Sequence, residues 1–392
     1  MMKINSKILG IVILATFFGL LSGVVGTLLT RVYILEESFG LPLFGEINLS
    51  SDNYKGSNIV ISNPKKVVVE QDDKVMETVK IAKSSIVGIF KKNKNVDKNV
   101  QSFNINNYYQ VDDKIGQGMV ITSDGWIISS FVPQELVGAK TKEALAKAKQ
   151  QIAENYVIIT DSKKVYPIND IVLDELASYS FWRIVANDLT VKGFASRNDI
   201  NQGQTVIGVN WNKEIKTAVV YGIKEAKSVV RQSDNLSQEL VLSNDVAANF
   251  EQGFFFNLNG DLVALVDSEK KVRPIYGYTA CINCLLNGQP IRHANLGVNY
   301  IDLSHLVPLD GKTSLGAMIV KNGANPAVKK GSPADISGLK EGDIITAINN
   351  ISLDEDNDLA QIISQYKYGD EAVFIILRNK EKMTISVKLG GI

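Results

Sequence analysis

The chain has 392 residues, with 42 basic and 42 acidic side chains and a formal net charge of zero at pH 7. That length suits two or three domains, and the even charge excludes a dedicated nucleic-acid binder. Two cysteines are too few for a disulfide framework, while the many glycines and β-branched periodic segments point to a mainly β architecture.

Residues 1–7 carry Lys3 and Lys7, and residues 8–30 then run without a charge for 23 positions. That is long enough to cross a bilayer as a helix, and too long for a cleaved leader. The lysines before the span put residues 1–7 in the cytoplasm and the bulk of a single-pass membrane protein outside it. Gly19 and Gly23 have the small-xxx-small spacing of associating helices, although glycine is common in such spans. Residues 31–66 read as a tether.

Val67–Val69 reads as a short strand before a helix with Val75, Val79 and Ala82 on one face. A strand starts at Ser85, and a lysine- and asparagine-rich loop covers roughly 91–114. Residues 116–133 form two strands around a Ser123-Asp124-Gly125 turn. Strong helix formers fill 139–154, with Leu145, Ala148 and Ile152 on one face, as in a solvated surface helix inserted between strands. Strands follow at Tyr156–Thr160 and at Thr205–Val209. An irregular loop from Asn244 to Gly253 leads into the apolar run Phe254–Phe256, which reads as core. Asn257-Leu258-Asn259-Gly260 is a hairpin signal, and Leu262–Val266 a second apolar strand.

Cys281 and Cys284 form a CxxC with His293 and His305 downstream. The later spacing is not that of a common structural zinc site, so the cysteines read as core residues with no metal or other cofactor. In the last hundred residues, Leu296-Gly297-Val298 opens a strand and Gly316–Val320 forms another. The string from Gly331 to Asn350 packs a Pro-started helix, a Gly338 stop and a strand. Leu359, Ile362, Ile363 and Tyr366 have helical spacing, and a final pair of strands covers Glu371–Leu377 and Lys382–Leu389.

Several of these segments resemble the HtrA/Deg family of trypsin-like proteases. Gly116, Gly118, Asp124 and Gly125 match its GSG strand and DG turn, and Leu173-Asp174, Phe181–Ile184 and Gly203 with Thr205–Val209 match later strands. Gly253, Asn257 and Gly260 match the nucleophile loop. The SPA-x-x-x-GL-x-x-GD-I-I string of the C-terminal region is similar to that of a bacterial PDZ domain. The resemblance implies a two-barrel, chymotrypsin-fold domain over 67–280, a linker over 281–294 and a PDZ domain over 295–390. It covers roughly 67–390.

On the family pattern the general-base histidine falls on Val132, the orienting aspartate on Ser178 and the nucleophilic serine on Glu251. Asp174 matches a different family aspartate. Each of the three is unable to do the job of its own position, the valine that of the base, the serine that of the orienting carboxylate and the glutamate that of the nucleophile. The only two histidines, His293 and His305, lie at or beyond the start of the PDZ-like region. The oxyanion hole would need the amides of Asn249 and Glu251. The Glu251 carboxylate could fill that hole itself or point into solvent.

The PDZ resemblance implies binding of C-terminal or unfolded polypeptide segments by strand addition, with the carboxylate held by the amides of Leu296, Gly297 and Val298. Leu359, Ile362 and Ile363 would line the apolar pocket, and Asn295 stands where the family often has an aromatic residue. A PDZ domain that only serves structure is the alternative. The expected function is therefore a membrane-anchored, catalytically inactive binding or scaffold protein of envelope quality control. An active serine endopeptidase is the alternative, and family analogy implies a homo-oligomer, often a trimer.

Overall fold

The computed structural model describes residues 14–26, 39–41, 45–47, 64–94 and 103–392, apart from 188, 225–227, 236–237, 244–249 and 310–314. It divides into two compact units, Met1–Lys66 and Val67–Ile392.

In the first unit, residues 14–26 form helix α1, and β1 (Phe39–Leu41) pairs antiparallel with β2 (Gly45–Ile47). The remainder of the expected span 8–30 and most of the expected tether lie outside the described residues. Among the described residues no helix is long and apolar enough to cross a membrane.

Helix α2 (Pro64–Ser85) runs into the second unit, which begins at Val67. Val67–Val69, expected as a strand, belongs to this helix. A valine run is locally ambiguous between strand and helix, and Pro64 at the helix start, followed by the Val75, Val79 and Ala82 face that packs on the core, favours the helix.

A seven-stranded antiparallel sheet follows. Its strands are β3 (Ile86–Lys91), β4 (Gly116–Val120), β5 (Trp126–Ser129), β6 (Tyr156–Thr160), β7 (Val165–Pro167), β8 (Asp170–Asp174) and β9 (Tyr179–Arg183), in the order β7-β6-β3-β4-β5-β9-β8. Helix α3 (Lys142–Asn155) enters between β5 and β6, capped by the Thr141 hydroxyl, which accepts from the Ala144 amide. Of its expected face, Ala148 and Ile152 are buried while Leu145 stays exposed.

A second sheet holds β10 (Thr205–Val209), β11 (Ile215–Lys224), β13 (Glu239–Leu242), β14 (Phe254–Phe256), β15 (Leu262–Val266) and β16 (Val272–Pro274), in the order β13-β11-β10-β14-β15-β16. The intervening β12 (Val230–Gln232) joins a different sheet. Because side chains alternate across a strand, each sheet feeds two cores. Val87 and Ile89 enter a cluster interior to the first sheet, and Phe255 and Val263 one interior to the second. Ile86, Phe90, Phe254 and Phe256 meet with residues of both sheets in a shared cluster. This is the mainly β, two-barrel arrangement expected, and it places the Phe254–Phe256 run in the core.

After α4 (Thr279–Leu286) the chain builds a third compact layer. It comprises β17 (Ala294–Asn295), β18 (Asn299–Asp302), β19 (Ala317–Ile319), α5 (Pro333–Ser337), β20 (Ile344–Ile348), β21 (Ile351–Ser352), α6 (Leu359–Ser364), β22 (Glu371–Arg378), β23 (Glu381–Lys388) and β24 (Gly390–Gly391). Its main sheet runs β12-β18-β19-β20-β22-β23, with β21 paired to β20. Leu296 and Gly297 connect β17 to β18, and Val298, bridged to Val328, leads directly into β18 at Asn299. Gly338 closes α5 at φ +83°, the left-handed cap that glycine adopts without a Cβ penalty.

Candidate functional site

Two sites emerge from this scaffold. The first is a cleft of about 520 Å³ whose walls include Leu173 of β8, Val132 and Ser178 from the first sheet's loops, and Gln252 and Ser268 from the second's. Val132 follows β5, and Ser178 sits in the tight turn between β8 and β9 at φ +57°. Two of the three sequence-derived positions therefore share one cleft. Glu251 is displaced from it: its side chain is 60% exposed and its carboxylate lies 3.1 Å from Lys270 Nζ. Asn249 lies outside the described residues.

The loop bearing Glu251 is held from the opposite sheet by Gln117, which is fully buried. Its Nε2 donates to the Glu251 carbonyl at 2.9 Å, its Oε1 accepts from the Trp211 amide at 2.6 Å, and its own amide donates to Gln252 Oε1 at 3.1 Å. Gln117 stands in the Gly-x-Gly string on β4, and its polar side chain between two glycines on a buried strand was the one local sign of this role. Nearby, burial lowers the Lys114 pKa against the opposing pull of Glu214 and Glu251.

The second site is the groove between β18 and α6. The amides of Leu296 and Gly297 both donate to Asp234 Oδ1, at 2.8 and 2.9 Å, and the Val298 amide donates to Ser233 Oγ at 3.1 Å. Gly297 is at φ +84°, and a Cβ there would lie 2.3 Å from the Ser332 Cβ, so both backbone and space call for glycine. Leu359 and Ile362 turn into the core. Ile363, with Ala360, Ser233, Asp234 and His293, lines a residual cavity of about 50 Å³.

Beside the groove, Cys281 and Cys284 are buried, free thiols on α4. His293 folds back from the linker, so an imidazole does touch the first barrel. Its Nε2 lies 2.9 and 2.8 Å from the Asp174 oxygens, and its Nδ1 lies 3.4 Å from Cys281 Sγ. These side chains offer ligand atoms within 4.8 Å of one another. The two ring nitrogens, however, face different partners, so one cation cannot take all three groups in this arrangement. Burial, then the Asp174 carboxylate and Cys284, push the Cys281 thiol pKa upward, which keeps the proton on sulfur and the thiol unreactive. Linear spacing hid this contact, because Asp174 and His293 are 119 residues apart.

Residues 294–389 match the PDZ domain family. Among curated relatives, the chain is 24% identical over 288 residues to a probable periplasmic serine endoprotease, DegP-like, of Hahella chejuensis, covering 70% of this chain and 56% of that one. It is 28% identical over 240 residues to the serine protease Do-like HtrA of Bacillus subtilis (55% and 53%), and 21% identical over 366 residues to the serine endoprotease DegS of Haemophilus influenzae (89% and 93%). The chain thus spans a little over half the length of the first two and most of the third. Among solved structures, the HtrA-type protease AlgW with a decapeptide aligns at TM-score 0.47 and 12% identity, covering 81% of this chain and 98% of that one. Residues 294–389 are thus a PDZ domain, and the chain as a whole is similar to HtrA/DegP-type serine proteases that carry one at the C-terminal end.

Proposed function

We propose that this chain is an HtrA/Deg-type protein that has lost hydrolysis and acts as a polypeptide-binding or scaffold component of envelope protein quality control. The observation that carries the reading is the make-up of the cleft. Val132 and Ser178 line it, while Glu251 turns outward to Lys270. No imidazole lines that cleft, so the Ser–His pair by which this kind of barrel activates its nucleophile is missing there. The outward carboxylate favours the solvent-facing reading of Glu251 over an oxyanion hole filled by its own side chain. The purified full chain should neither cleave unfolded casein nor take a fluorophosphonate label, and Glu251→Ser alone should change neither result. Labelling of the unmodified protein would instead support the second reading, a working endopeptidase, which the names of the curated relatives favour.

The same proposal gives the PDZ domain the binding role. The amides of Leu296 and Gly297 converge on one acceptor, the Val298 amide points to the neighbouring Ser233 hydroxyl, and Ile363 supplies an apolar wall beside them. A peptide with a free carboxylate and an apolar last residue suits this geometry. Amidating its end should weaken binding about tenfold or more, because charge-assisted bonds are lost.

Anchoring through residues 8–30 belongs to the proposal as well. Its support is the uncharged run in the sequence and the exposed Leu14, Phe17, Phe18, Leu21 and Val25 of α1. With Lys3 and Lys7 inside, a cysteine placed within 40–60 should react with an impermeant reagent on intact spheroplasts. Protection until lysis would reverse the orientation.

A further inference from the structure

The PDZ groove already contains a ligand, and it is part of this chain. Strand β12 leaves the second barrel between β11 and β13 and adds antiparallel to β18, pairing Val230 with Ile301, Arg231 with Tyr300 and Gln232 with Asn299. The ladder continues where the Ser233 amide donates to the Val298 carbonyl at 3.0 Å. It ends where the Asp234 carboxylate takes the amides of Leu296 and Gly297. Strand addition that terminates on a carboxylate is the chemistry by which such a groove holds a chain end. Here a side-chain carboxylate supplies the charge.

The pairing also reads a side chain. Arg231 Nη1 lies 3.3 Å from Asp302 Oδ2 and 3.2 Å from Asp358 Oδ1, and these carboxylates are only 9% and 8% exposed. Asp358 accepts the Tyr300 hydroxyl at 2.8 Å and the Ala360 amide at 3.1 Å. Two adjoining, nearly buried carboxylates need a cation between them, since an unpaired buried charge is costly. Position 233, by contrast, is poorly filled: its serine leaves the cavity of about 50 Å³ against Ala360 and Ile363. A larger apolar residue there would gain contacts that Ser233 does not make.

We propose that residues 230–234 are a tethered ligand of the PDZ groove. External polypeptides bind by displacing them, and the groove selects a free chain end with a basic residue two positions before an apolar last residue. This rests on the peptide-binding reading above and narrows it to a ligand class. Self-occupancy lowers the apparent affinity for a competitor by the fraction of molecules whose groove is open, and a short tether keeps that fraction small through its high effective concentration.

The test uses the full chain in mild detergent and a fluorescent hexapeptide, Ser-Val-Val-Arg-Gln-Val, with a free carboxylate. In the unmodified protein the Leu296 and Gly297 amides should resist hydrogen exchange, and Asp234→Ala should remove that protection at least about tenfold, while β22 and β23 exchange as before. The same variant should bind the hexapeptide about tenfold or more tightly than the unmodified chain does. Replacing the peptide's arginine by glutamate should cost at least about tenfold in the variant. Asp234→Asn, which keeps the side-chain shape, should give intermediate values and serves if the alanine variant folds poorly. Equal exchange at Leu296 and Gly297 with and without Asp234 would overturn the tethered ligand. Loss of protection with no peptide binding would overturn displacement and the peptide-binding reading, leaving the strand as a structural strut. Equal binding of the arginine and glutamate peptides would overturn the selection for a basic residue.

Discussion

His293 Nε2 lies 2.8 and 2.9 Å from the two carboxylate oxygens of Asp174, joining the segment that precedes the PDZ domain to the β8–β9 hairpin of the first sheet. Asp174 is 3% exposed and otherwise accepts from the Ala177 amide at 3.1 Å. Removing the imidazole strands a carboxylate in a site from which water is excluded. His293→Ala should therefore destabilise the protein by about 1.5–3 kcal/mol, the typical worth of a hydrogen bond to a charged group. Urea unfolding at neutral pH reads the change, and an unaltered midpoint would show that the contact contributes nothing.

Gln117 makes a second long-range connection, between β4 and the loop that carries Glu251. Gln117→Leu keeps the volume but leaves the Trp211 amide and the Glu251 carbonyl without their partners at 2.6 and 2.9 Å. The Trp211 amide is buried, and leaving it unsatisfied costs about 1–3 kcal/mol. The variant should unfold at a clearly lower urea concentration, and proteolysis should cut the loop around 244–253 sooner. A variant as stable and as resistant as the parent would count against this role.

Arg183 and Asp124 couple the β4–β5 turn to β9 at 2.7 Å. The Arg183 hydrogen bond, followed by that of Thr122, holds the Asp124 pKa down to about 2. A depressed folded-state pKa stabilises the fold above the ordinary carboxylate value, about 4, and that contribution is lost as pH falls toward 2. Asp124 is 60% exposed, so solvent screening keeps the effect on stability small, and the titration itself is the better readout. In Arg183→Ala the Asp124 carboxyl should titrate markedly closer to 4 by NMR. No movement would assign the depression to Thr122 and the turn backbone.

The strands β4, β5, β6, β10, β14 and β15 and most of the PDZ elements were legible because each follows a local rule, whereas β7, β11, β12, β13 and β16 were not read from the sequence. Alternating apolar residues, the Asn257–Gly260 turn, and Pro333 with Gly338 at the two ends of α5 act over a few positions. Legibility failed where local signals conflict. Val67–Val69 has strand-like residues yet extends α2, since helical continuity toward the packed Val79 and Ala82 outweighs a weak propensity. Leu296–Val298 looks like the start of a strand, but Gly297 at φ +84° delays it, and regular pairing begins only at Val298 and Asn299.

Sequence by itself determined which chemical groups are available: valine, serine and glutamate at positions 132, 178 and 251, two histidines and two cysteines in all, and a PDZ-type string near the C-terminus. Only tertiary structure decided which groups meet. It turned Glu251 outward to Lys270, set His293 against Asp174 across 119 residues, and brought Asp234 to the amides of Leu296 and Gly297 from 62 and 63 residues away. The physical reason is range. Propensity, capping and turn chemistry act within about one turn of chain, whereas these pairings follow from how whole sheets pack and where the β11–β13 connection is led.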